Sequence, residues 1–383
     1  MPRYSPIRFW DDVVARERTL DRLLALRAQL RAEVARHKAP DSLLLATWNI
    51  RDFDSNRFGH GPRLPESFHY MAEIVSSFDL VAVQEVNRDV SALERLMRLL
   101  GPDWSYIVTD TTEGPGGNGE RIAFVYDRRK VRFRNVAGEI VLPEGQLIAS
   151  RRRASDGTER IDRLQFARTP FMVAFQAGWF KFNLCAVHIY YGADSGARLE
   201  RRVEEIRRVA AFFADRQEKE TEDYILLGDF NIVSPQHRTM QALEGEGFVV
   251  PEPLKQARSN LGGDKHYDQI ALRVREKRLE IGASGVFRYA TSVFRDSDDD
   301  FAAYFEHMPP DKRDFDGNEP RDAAGQRAYY LDDWRSWQMS DHLPMWVQLK
   351  VDFTDAYLRS LQPGRTPLAD FSGSRDPAAG EIT

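Results

Sequence analysis

The sequence contains very little cysteine. Cys185 is the single cysteine in 383 residues, so no intramolecular disulfide can form and no zinc cluster of several cysteines can be built. This composition suits a reducing compartment, and the protein is expected to be cytoplasmic. The first residues, MPRYSPIRFWDDVV, lack the apolar core of a signal peptide, and no segment reaches the roughly 18 apolar residues of a membrane span. No membrane contact is expected.

An excess of positive charge is also absent. The formal net charge is −5, whereas binding of nucleic acid by broad electrostatic coating requires clustered Lys and Arg. This excludes such a coating protein, but it does not exclude an enzyme that holds one phosphate locally and its neighbours with a few arginines. Hydrophobic residues make up 42% of the chain and aromatic residues 11%, which predicts a soluble globular protein with a sizeable core.

The chain begins with a predicted amphipathic helix. Residues 11–38 are charged and helix-forming, and their apolar residues fall roughly on one face. The apolar repeat is too short to require a coiled coil, so packing against the main domain is favoured, while self-association or partner binding stays open. The apolar positions are Leu20, Leu23, Leu24, Leu30 and Val34.

Short apolar runs from residue 43 onward alternate with amphipathic helices. Runs rich in β-branched and aromatic residues, bounded by turn or charged residues, predict strands. Many strands with few strict βαβ repeats indicate a mixed-sheet sandwich flanked by helices. The predicted strands are 43–50, 79–86, 121–127, 170–177, 181–189, 224–230, 267–274 and 344–351, and the helices are 66–77, 89–100, 195–218 and 236–246.

The remaining segments are predicted to be irregular. Residues 111–119 and 144–163 are expected to be loops, and the charged segment at about 295–338 is expected to be an irregular insertion. The predicted regions are therefore an N-terminal extension at 1–42, a main domain at 43–352 that contains the insertion, and a partly disordered tail at 353–383.

Polar side chains lie at the ends of nearly all predicted strands. A lone Asp or Asn at a strand end is usually a turn former or a helix cap. So many together indicate a ligand site, because strand ends in α/β proteins converge on a common rim. They are Asn49, Glu85, His188, Asp229, Asn231, Asp268, Asp341 and His342.

These residue types suggest metal-assisted hydrolysis of a phosphate ester. Mg²⁺ prefers carboxylate and amide oxygens and keeps several waters, and Mn²⁺ suits the same ligands. Histidines can contact phosphate or move protons when carboxylates hold them, and Glu120 and Asp268 are candidates for that task. Zinc hydrolysis is a rival, but no HExxH spacing occurs, and no GxSxG supports a serine nucleophile. The candidate oxygen ligands are Asn49, Glu85, Asp229 and Asp341.

The ordered motifs TWNIR, VQEV, GERIAFVY, VHI, GDFN, YDQI and SDHLP resemble the endonuclease/exonuclease/phosphatase superfamily, and especially its deoxyribonuclease I-like branch. The resemblance spans residues 43–350, so it makes 43–352 the catalytic domain. It implies a four-layer α/β sandwich, in which two packed mixed sheets lie between helical layers and the active site lies at one edge.

The resemblance also implies roles for matching positions. Asn49 and Glu85 would bind the metal, with Asp341 near it. Asp229 would activate or orient the attacking water, and Asn231 would help to fix that water and the phosphate.

The two histidines would act through carboxylate partners. His342 would be held by Asp268 and stabilise the charged phosphate. His188 would pair with Glu120, whose GERIAFVY context is similar to deoxyribonuclease I, and act on the phosphate or the leaving oxygen.

Several positions concern the substrate. Arg168 and Arg51 resemble contacts to backbone phosphates, although a surface salt bridge is an equal alternative for each. Asn118 stands where deoxyribonuclease I has a tyrosine in the minor groove, and Asn87 follows QEV where it has an arginine. Groove recognition of the same kind is therefore not expected, and structural calcium is not expected either.

The sequence thus predicts a Mg²⁺-dependent phosphodiesterase. The favoured function is an endonuclease that hydrolyses DNA, or alternatively RNA, to 5′-phosphate and 3′-hydroxyl ends by in-line attack of a metal-oriented water. A phosphatase or phosphodiesterase for a small molecule or lipid headgroup is the second hypothesis. A catalytically silent binding protein is the third, but no paired acid or histidine is missing.

Overall fold

Two mixed β-sheets pack face to face in the computed structural model of the chain. It describes residues 1–55, 57–113, 117–153, 158–309 and 321–362. The strands are β1 Ser42–Phe53, β2 Leu80–Val86, β3 Trp104–Val108, β4 Arg121–Asp127, β5 Val131–Glu139, β6 Ile148–Arg153, β7 Glu159–Leu164, β8 Phe171–Ala177, β9 Phe180–His188, β10 Tyr224–Asp229, β11 Asp268–Arg273, β12 Glu280–Val286 and β13 Met345–Lys350.

Helices cover the outer faces of these sheets. No helix within the described ranges is long and apolar enough to cross a membrane. The α-helices are α1 Val13–Glu33, α2 Pro65–Ser76, α3 Ser91–Leu100, α4 Gly196–Gln217, α5 Arg238–Glu244, α6 Glu252–Gln256, α7 Asp298–Tyr304, α8 Ala323–Tyr329, α9 Arg335–Gln338 and α10 Thr354–Ser360.

The strand order brings distant motifs to one edge. One sheet has the order β12-β13-β1-β2-β4-β3, the other β11-β10-β9-β8-β5, and β6 and β7 form a separate hairpin. The pairs β1–β2 and β9–β10 are parallel, so their carboxyl ends point the same way within each sheet. In the second sheet Asp229 lies beside His188 on one side and Asp268 on the other.

The central strands are buried on both faces, which explains their continuous apolar runs. In β1, Leu43 and Leu45 join the core between the sheets, whereas Leu44 and Trp48 join a second core under the helices. The predicted sandwich of two mixed sheets flanked by helices is confirmed, and each of the eight predicted strands overlaps an observed one.

Helix α1 packs on the body of the protein. The Asp12 side chain caps it by accepting a hydrogen bond from Ala15 N at 2.9 Å. Its buried face contains Leu23, Leu26 and Leu30, whereas Leu20 and Leu24 are 44% and 67% exposed. The prediction that Leu20 and Leu24 belong to the buried face was wrong, because α1 packs on the body through the face centred on Leu26.

Two segments predicted to be irregular contain regular structure. Residues 144–163 include the hairpin β6–β7, which is held by inter-strand pairing and by Ile148 in the core. The described parts of 295–338 are largely helical: Ser297 caps α7, Asp322 caps α8, and buried aromatic residues fix both to the body. Residues 310–320, 114–116 and the tail from 363 lie outside the described residues.

Candidate active site

The candidate site lies where the central strands of the two sheets end. Asn49 is near the end of β1 and Glu85 near the end of β2, while β9 and β10 end at His188 and Asp229. The glycine before Asp229 is required by the backbone: Gly228 has φ 130°, and a Cβ there would lie 2.1 Å from Val187 O. Close approach of β9 and β10 thus brings His188 and Asp229 together.

An amide and two carboxylates meet at the centre. Asn49 Nδ2 donates to Glu85 Oε1 at 2.9 Å and to Asp229 Oδ2 at 3.3 Å. Glu85 has φ 58°, and its Oε2 accepts a hydrogen bond from Asp52 N at 2.8 Å. The contact with Asp229 crosses from one sheet to the other.

The donor set fits a hard cation. Asn49 is fully buried, yet among the described residues no donor hydrogen-bonds to its Oδ1, and an orphaned buried acceptor of this kind is costly unless a ligand satisfies it. No group of three or more His, Cys, Asp or Glu side chains in the described part of the chain has metal-binding geometry. Asn49 and Glu85 offer one amide and one carboxylate oxygen, and Mg²⁺ typically completes such a set with waters.

Asp341, the third residue expected near the metal, is exposed. Its backbone oxygen accepts a hydrogen bond from Leu261 N at 2.7 Å. Its carboxylate adds to the charges that raise the pKa of His342. A role for Asp341 at the metal stays a prediction.

His342 is held by a buried carboxylate. Its Nδ1 lies 2.8 Å from Asp268 Oδ2, and its Nε2 lies 3.7 Å from Asp229 Oδ2. Tyr267 stacks on the imidazole with ring centroids 5.6 Å apart. Burial alone would lower the pKa of His342, but Asp268 and Asp229 together raise it well above the usual value. The ring is therefore suited to carry a positive charge.

His188 lies on the other side of Asp229. Its Nε2 is 3.6 Å from Asp229 Oδ2, and its Nδ1 is 3.0 Å from Glu120 Oε2, although that contact is not aligned as a hydrogen bond. Burial opposes ionisation of Glu120, but His188 and Arg168 overcome it and lower the pKa of Glu120 to about 2. Glu120 therefore stays ionised beside the imidazole of His188.

Asp229 is fixed so that one oxygen faces both histidines. Its Oδ1 accepts a hydrogen bond from Asn231 N at 2.8 Å, which leaves Oδ2 toward the two rings. Asn231 adopts φ 51°, and its Nδ2 donates to Ile189 O at 2.8 Å. The structure thus brings eight of the candidate residues into one cluster: Asn49, Glu85, Glu120, His188, Asp229, Asn231, Asp268 and His342.

Two of the predicted substrate residues lie beside Glu120, and the third contacts the insertion. Arg168 Nε donates to Glu120 Oε2 at 2.7 Å, and Asn118 Nδ2 donates to Glu120 Oε1 at 3.0 Å, so both border the cluster. The guanidinium of Arg51 instead contacts Asp333 and Ser336 of the insertion. The suggestion that Arg51 contacts a phosphate stays a prediction, although its donors already have protein partners.

Three residues near the site were not identified from the sequence. Ser340, from SDHLP, donates through Oγ to Asn49 O at 2.6 Å and accepts from Arg51 N and His342 N. Asp52 is buried beside Glu85, and burial together with the Glu85 charge raises its pKa to about 6. Arg57 Nε lies 2.7 Å from Asp52 Oδ1. The SDH motif is a signal that could have identified Ser340. Asp52 and Arg57 lie in RDFDSNR, which cannot be distinguished by its sequence from a solvated charged loop.

Comparisons with known proteins agree on a family. A model of the Endonuclease/Exonuclease/phosphatase family matches residues 46–248, which is more than half of the chain. No curated protein sequence matches significantly.

Solved structures share the fold at low sequence identity. An endonuclease/exonuclease/phosphatase family protein from Bacteroides thetaiotaomicron aligns with TM-score 0.51 and 16% identity, covering 81% of this chain and 98% of its own. The mannosyl-6-phosphatase Bt3783 of B. thetaiotaomicron VPI-5482 aligns with TM-score 0.50 and 17% identity, covering 80% and 99%. D. rerio TDP2, complexed with a single-strand DNA product, aligns with TM-score 0.47 and 12% identity over 80% and 98%. At these identities the similarity shows the fold alone.

Proposed function

Because the chain belongs to the endonuclease/exonuclease/phosphatase family, we propose that it is a metal-dependent phosphodiesterase that cleaves DNA, with RNA as the alternative, to 5′-phosphate and 3′-hydroxyl ends. The proposal rests on one observation above all. Two imidazoles, each backed by its own carboxylate, face Asp229 Oδ2 from distances of 3.6 and 3.7 Å, beside Asn49 and Glu85.

Asn49 and Glu85 are the residues that would hold a divalent cation, Mg²⁺ or Mn²⁺, and such a cation would neutralise charge on the scissile phosphate. The attacking water lies against Asp229 Oδ2, which accepts its proton. Asn231 keeps Asp229 in place through the hydrogen bond from its backbone to Oδ1. The water is thereby aimed along the line of the bond that breaks.

The histidines act on the phosphate oxygens. His342 is kept positively charged by Asp268, so its Nε2 stabilises the negative charge that builds on the phosphorane-like transition state. His188, whose Nδ1 lies 3.0 Å from the ionised Glu120, donates from Nε2 to the leaving 3′-oxygen or to the phosphate. Each imidazole thus has a carboxylate beside its Nδ1.

A small-molecule phosphoester is the second candidate. Arg51, one of the two arginines expected to bind phosphates, is engaged by Asp333 and Ser336 of the insertion. The net charge of −5 supplies no broad attraction for a polyanion. These two features favour a substrate that needs a single phosphate pocket, and the B. thetaiotaomicron mannosyl-6-phosphatase has the same fold.

Nicking of supercoiled plasmid in the presence of Mg²⁺ tests the proposal. Wild-type protein should convert supercoiled DNA to the open circle, and chelation of the metal or Asp229→Asn should lower the rate by at least about a hundredfold. A mannose 6-phosphate or 4-nitrophenyl phosphate assay runs in parallel. Hydrolysis of these without nicking would transfer the proposal to the second candidate, and folded protein with neither activity would refute both.

A further inference from the structure

Arg57 lies at the candidate site although no motif marks it. It follows β1, the strand that carries Asp52, and its side chain is 42% exposed. Its Nε lies 2.7 Å from Asp52 Oδ1, and its Nη2 lies 3.9 Å from Glu120 Oε1. The guanidinium therefore extends from the Glu85 side of the site toward the His188 side.

Ion pairs with Asp52 and Glu120 hold the guanidinium of Arg57. Within the described ranges, no acceptor stands in hydrogen-bonding geometry to its guanidinium, although the Phe58 ring lies 4.9 Å from it. Asp52, which holds one edge of the group, is itself tied to Glu85 by the hydrogen bond from its backbone. The protein thus positions Arg57, and part of its guanidinium group remains accessible to solvent.

A second arginine faces the same carboxylate. Arg168 Nε contacts Glu120 Oε2 at 2.7 Å, whereas Arg57 approaches Glu120 Oε1. Two guanidinium groups thus lie around one carboxylate beside His188. Arginine forks match phosphate oxygens in a bidentate manner, so two of them at this place favour an anionic group of the substrate.

The ion-pair partners of Arg57 show which anionic group it would meet. They are Asp52 and Glu120, and not Asp229 or Glu85, which surround the position of the scissile phosphate. Glu120 lies on the far side of the His188 ring from Asp229. An anionic group bound by Arg57 would therefore lie on the Glu120 side of His188, away from the proposed position of the scissile phosphate at Asp229.

Accordingly, we propose that Arg57 is a substrate-binding residue that contacts a second phosphate, adjacent to the scissile phosphodiester. This inference rests on the proposed phosphodiesterase function and specifies its substrate class: the preferred substrates carry at least two neighbouring phosphates, as an oligonucleotide does. Arg168 shares the contact.

Short thymidine oligonucleotides test the inference with Arg57→Ala, Arg57→Lys and wild type in Mg²⁺. TpT has only the scissile phosphate, whereas pTpT and TpTp add a second one on either side. Wild type should cleave one of the doubly phosphorylated substrates with a KM about 10- to 100-fold below that for TpT. Arg57→Ala should bring the ratio of kcat/KM between the preferred doubly phosphorylated substrate and TpT down to about one, and Arg57→Lys should retain part of this ratio.

Arg129→Ala is the matched control. Arg129 is also an exposed arginine between two carboxylates, Asp127 and Asp103, but it lies beyond the other end of β4, and its loss should change none of these values. An equal loss by Arg57→Ala on TpT and on the longer substrates would assign Arg57 a merely structural role. Wild type without a preference for the second phosphate would also overturn the inference and leave the proposed function standing. Absence of cleavage of all three substrates by wild type would overturn both.

Discussion

Asp268 holds His342 from a position that solvent does not reach. It is fully buried, and its Oδ2 lies 2.8 Å from His342 Nδ1. Asp268→Asn removes the largest of the charges that raise the pKa of His342 and presents a neutral group to the ring, so the imidazolium is less stable. We expect kcat to fall by about 10²- to 10⁴-fold with a smaller change in KM, measured on whichever substrate wild type cleaves.

Asp223→Asn serves as the control for this experiment. Asp223 precedes β10 at the end opposite Asp229, and burial raises its pKa to about 6. Its carboxylate accepts a hydrogen bond from Arg275 N at 2.6 Å. A similar loss of kcat in both variants would mean that neutralising any buried carboxylate weakens the fold, and the role of Asp268 would have to be abandoned.

His69 makes stability depend on pH at a position remote from the site. Burial, aided by the charge of Arg95, lowers its pKa from 6.5 to about 4. The unfolded chain thus binds this proton more readily than the folded one. The stability contributed by the neutral ring is complete above about pH 6.5 and declines as pH falls toward 4. Urea unfolding at pH 7.5 and 5.0 should show a loss of up to about 2 kcal/mol from this residue.

His69→Phe isolates this contribution, because phenylalanine keeps a ring beside Trp10 and cannot titrate. Asp52 and Asp223 have raised pKa values and act with the opposite sign in the same range, so only the difference between the two proteins is informative. If wild type and His69→Phe lost the same free energy between pH 7.5 and 5.0, the ring would not be the titrating group.

Residues could be predicted from the sequence where a local pattern fixes their position. Asp229 follows a buried strand, so its place at the rim depends only on that strand. Asp52 and Arg57 could not be found in this way. Their positions depend on the path of the β1–α2 loop, which is set by contacts with residues about 280 positions away, such as that from Trp337 Nε1 to Gly61 O at 2.8 Å.

At the scale of elements, α4 holds the loops that carry catalytic side chains. Arg202 is fully buried and donates to Tyr191 O at 2.7 Å, Ala193 O at 2.7 Å and Asn231 O at 3.1 Å. Glu205, one turn along the helix, accepts hydrogen bonds from Ala167 N and Tyr190 N at 3.3 Å. The helix therefore links the segments that follow β9 and β10 with the segment that precedes β8.

Arg202→Lys should disturb the site without touching substrate. Lysine cannot reach three carbonyl groups as the guanidinium fork does, so we expect a loss of about 2–4 kcal/mol in stability and at least a tenfold fall in kcat with little change in KM. Arg207→Lys, on the same helix but exposed and paired with Glu204, should alter neither quantity. A change in KM with kcat unchanged would contradict a positioning role for Arg202.

Helix α1 connects to the insertion as well as to the body. Arg18 pairs with Glu66, which also accepts a hydrogen bond from Tyr304 of α7 at 2.7 Å, and Arg22 pairs with Asp300. Because α1 contributes Leu26 to the core, Leu26→Ala should lower the free energy of unfolding by about 2–5 kcal/mol. Denaturant titration measures this loss.

The exposed Leu24 provides the comparison within α1. Leu24→Ala should change stability by less than about 0.5 kcal/mol, because the side chain is mostly in solvent. Equal effects at Leu24 and Leu26 would indicate that both positions are covered, as self-association through this helix would require. Sedimentation of the two variants would then identify the oligomer.

On the scale of the whole molecule, the sequence predicted the sandwich and its central strands, but not all of the strands at the edges of the sheets. The central strands are buried on both faces, so their apolar runs are conspicuous. β5 and β12 are mostly half-buried or exposed, and their alternating sequences carry little hydrophobic signal. The hairpin β6–β7 is rich in arginine, and its pairing depends on contacts that no local pattern encodes.

Metal binding should be visible in the stability of the entire molecule, because Asn49, one of the two proposed ligands, also joins the two sheets. Asn49 comes from the first sheet and Asp229 from the second, and the contact between them closes the edge where the sheets meet. An ion that binds only the folded state stabilises it by about 2.7 kcal/mol at a concentration 100 times its Kd. Thermal unfolding with Mg²⁺ or Mn²⁺ should therefore shift upward by several degrees relative to chelated protein.

Glu85→Gln should remove most of this shift, since it keeps the shape of the side chain and deletes the charge that the cation needs. Glu113→Gln, an exposed carboxylate paired with Arg88, should retain it. Because the readout is Tm and not turnover, the prediction is independent of the substrate. A shift that persists unchanged in Glu85→Gln would place the ion elsewhere on the protein, and the orphaned oxygen of Asn49 would then need a different partner.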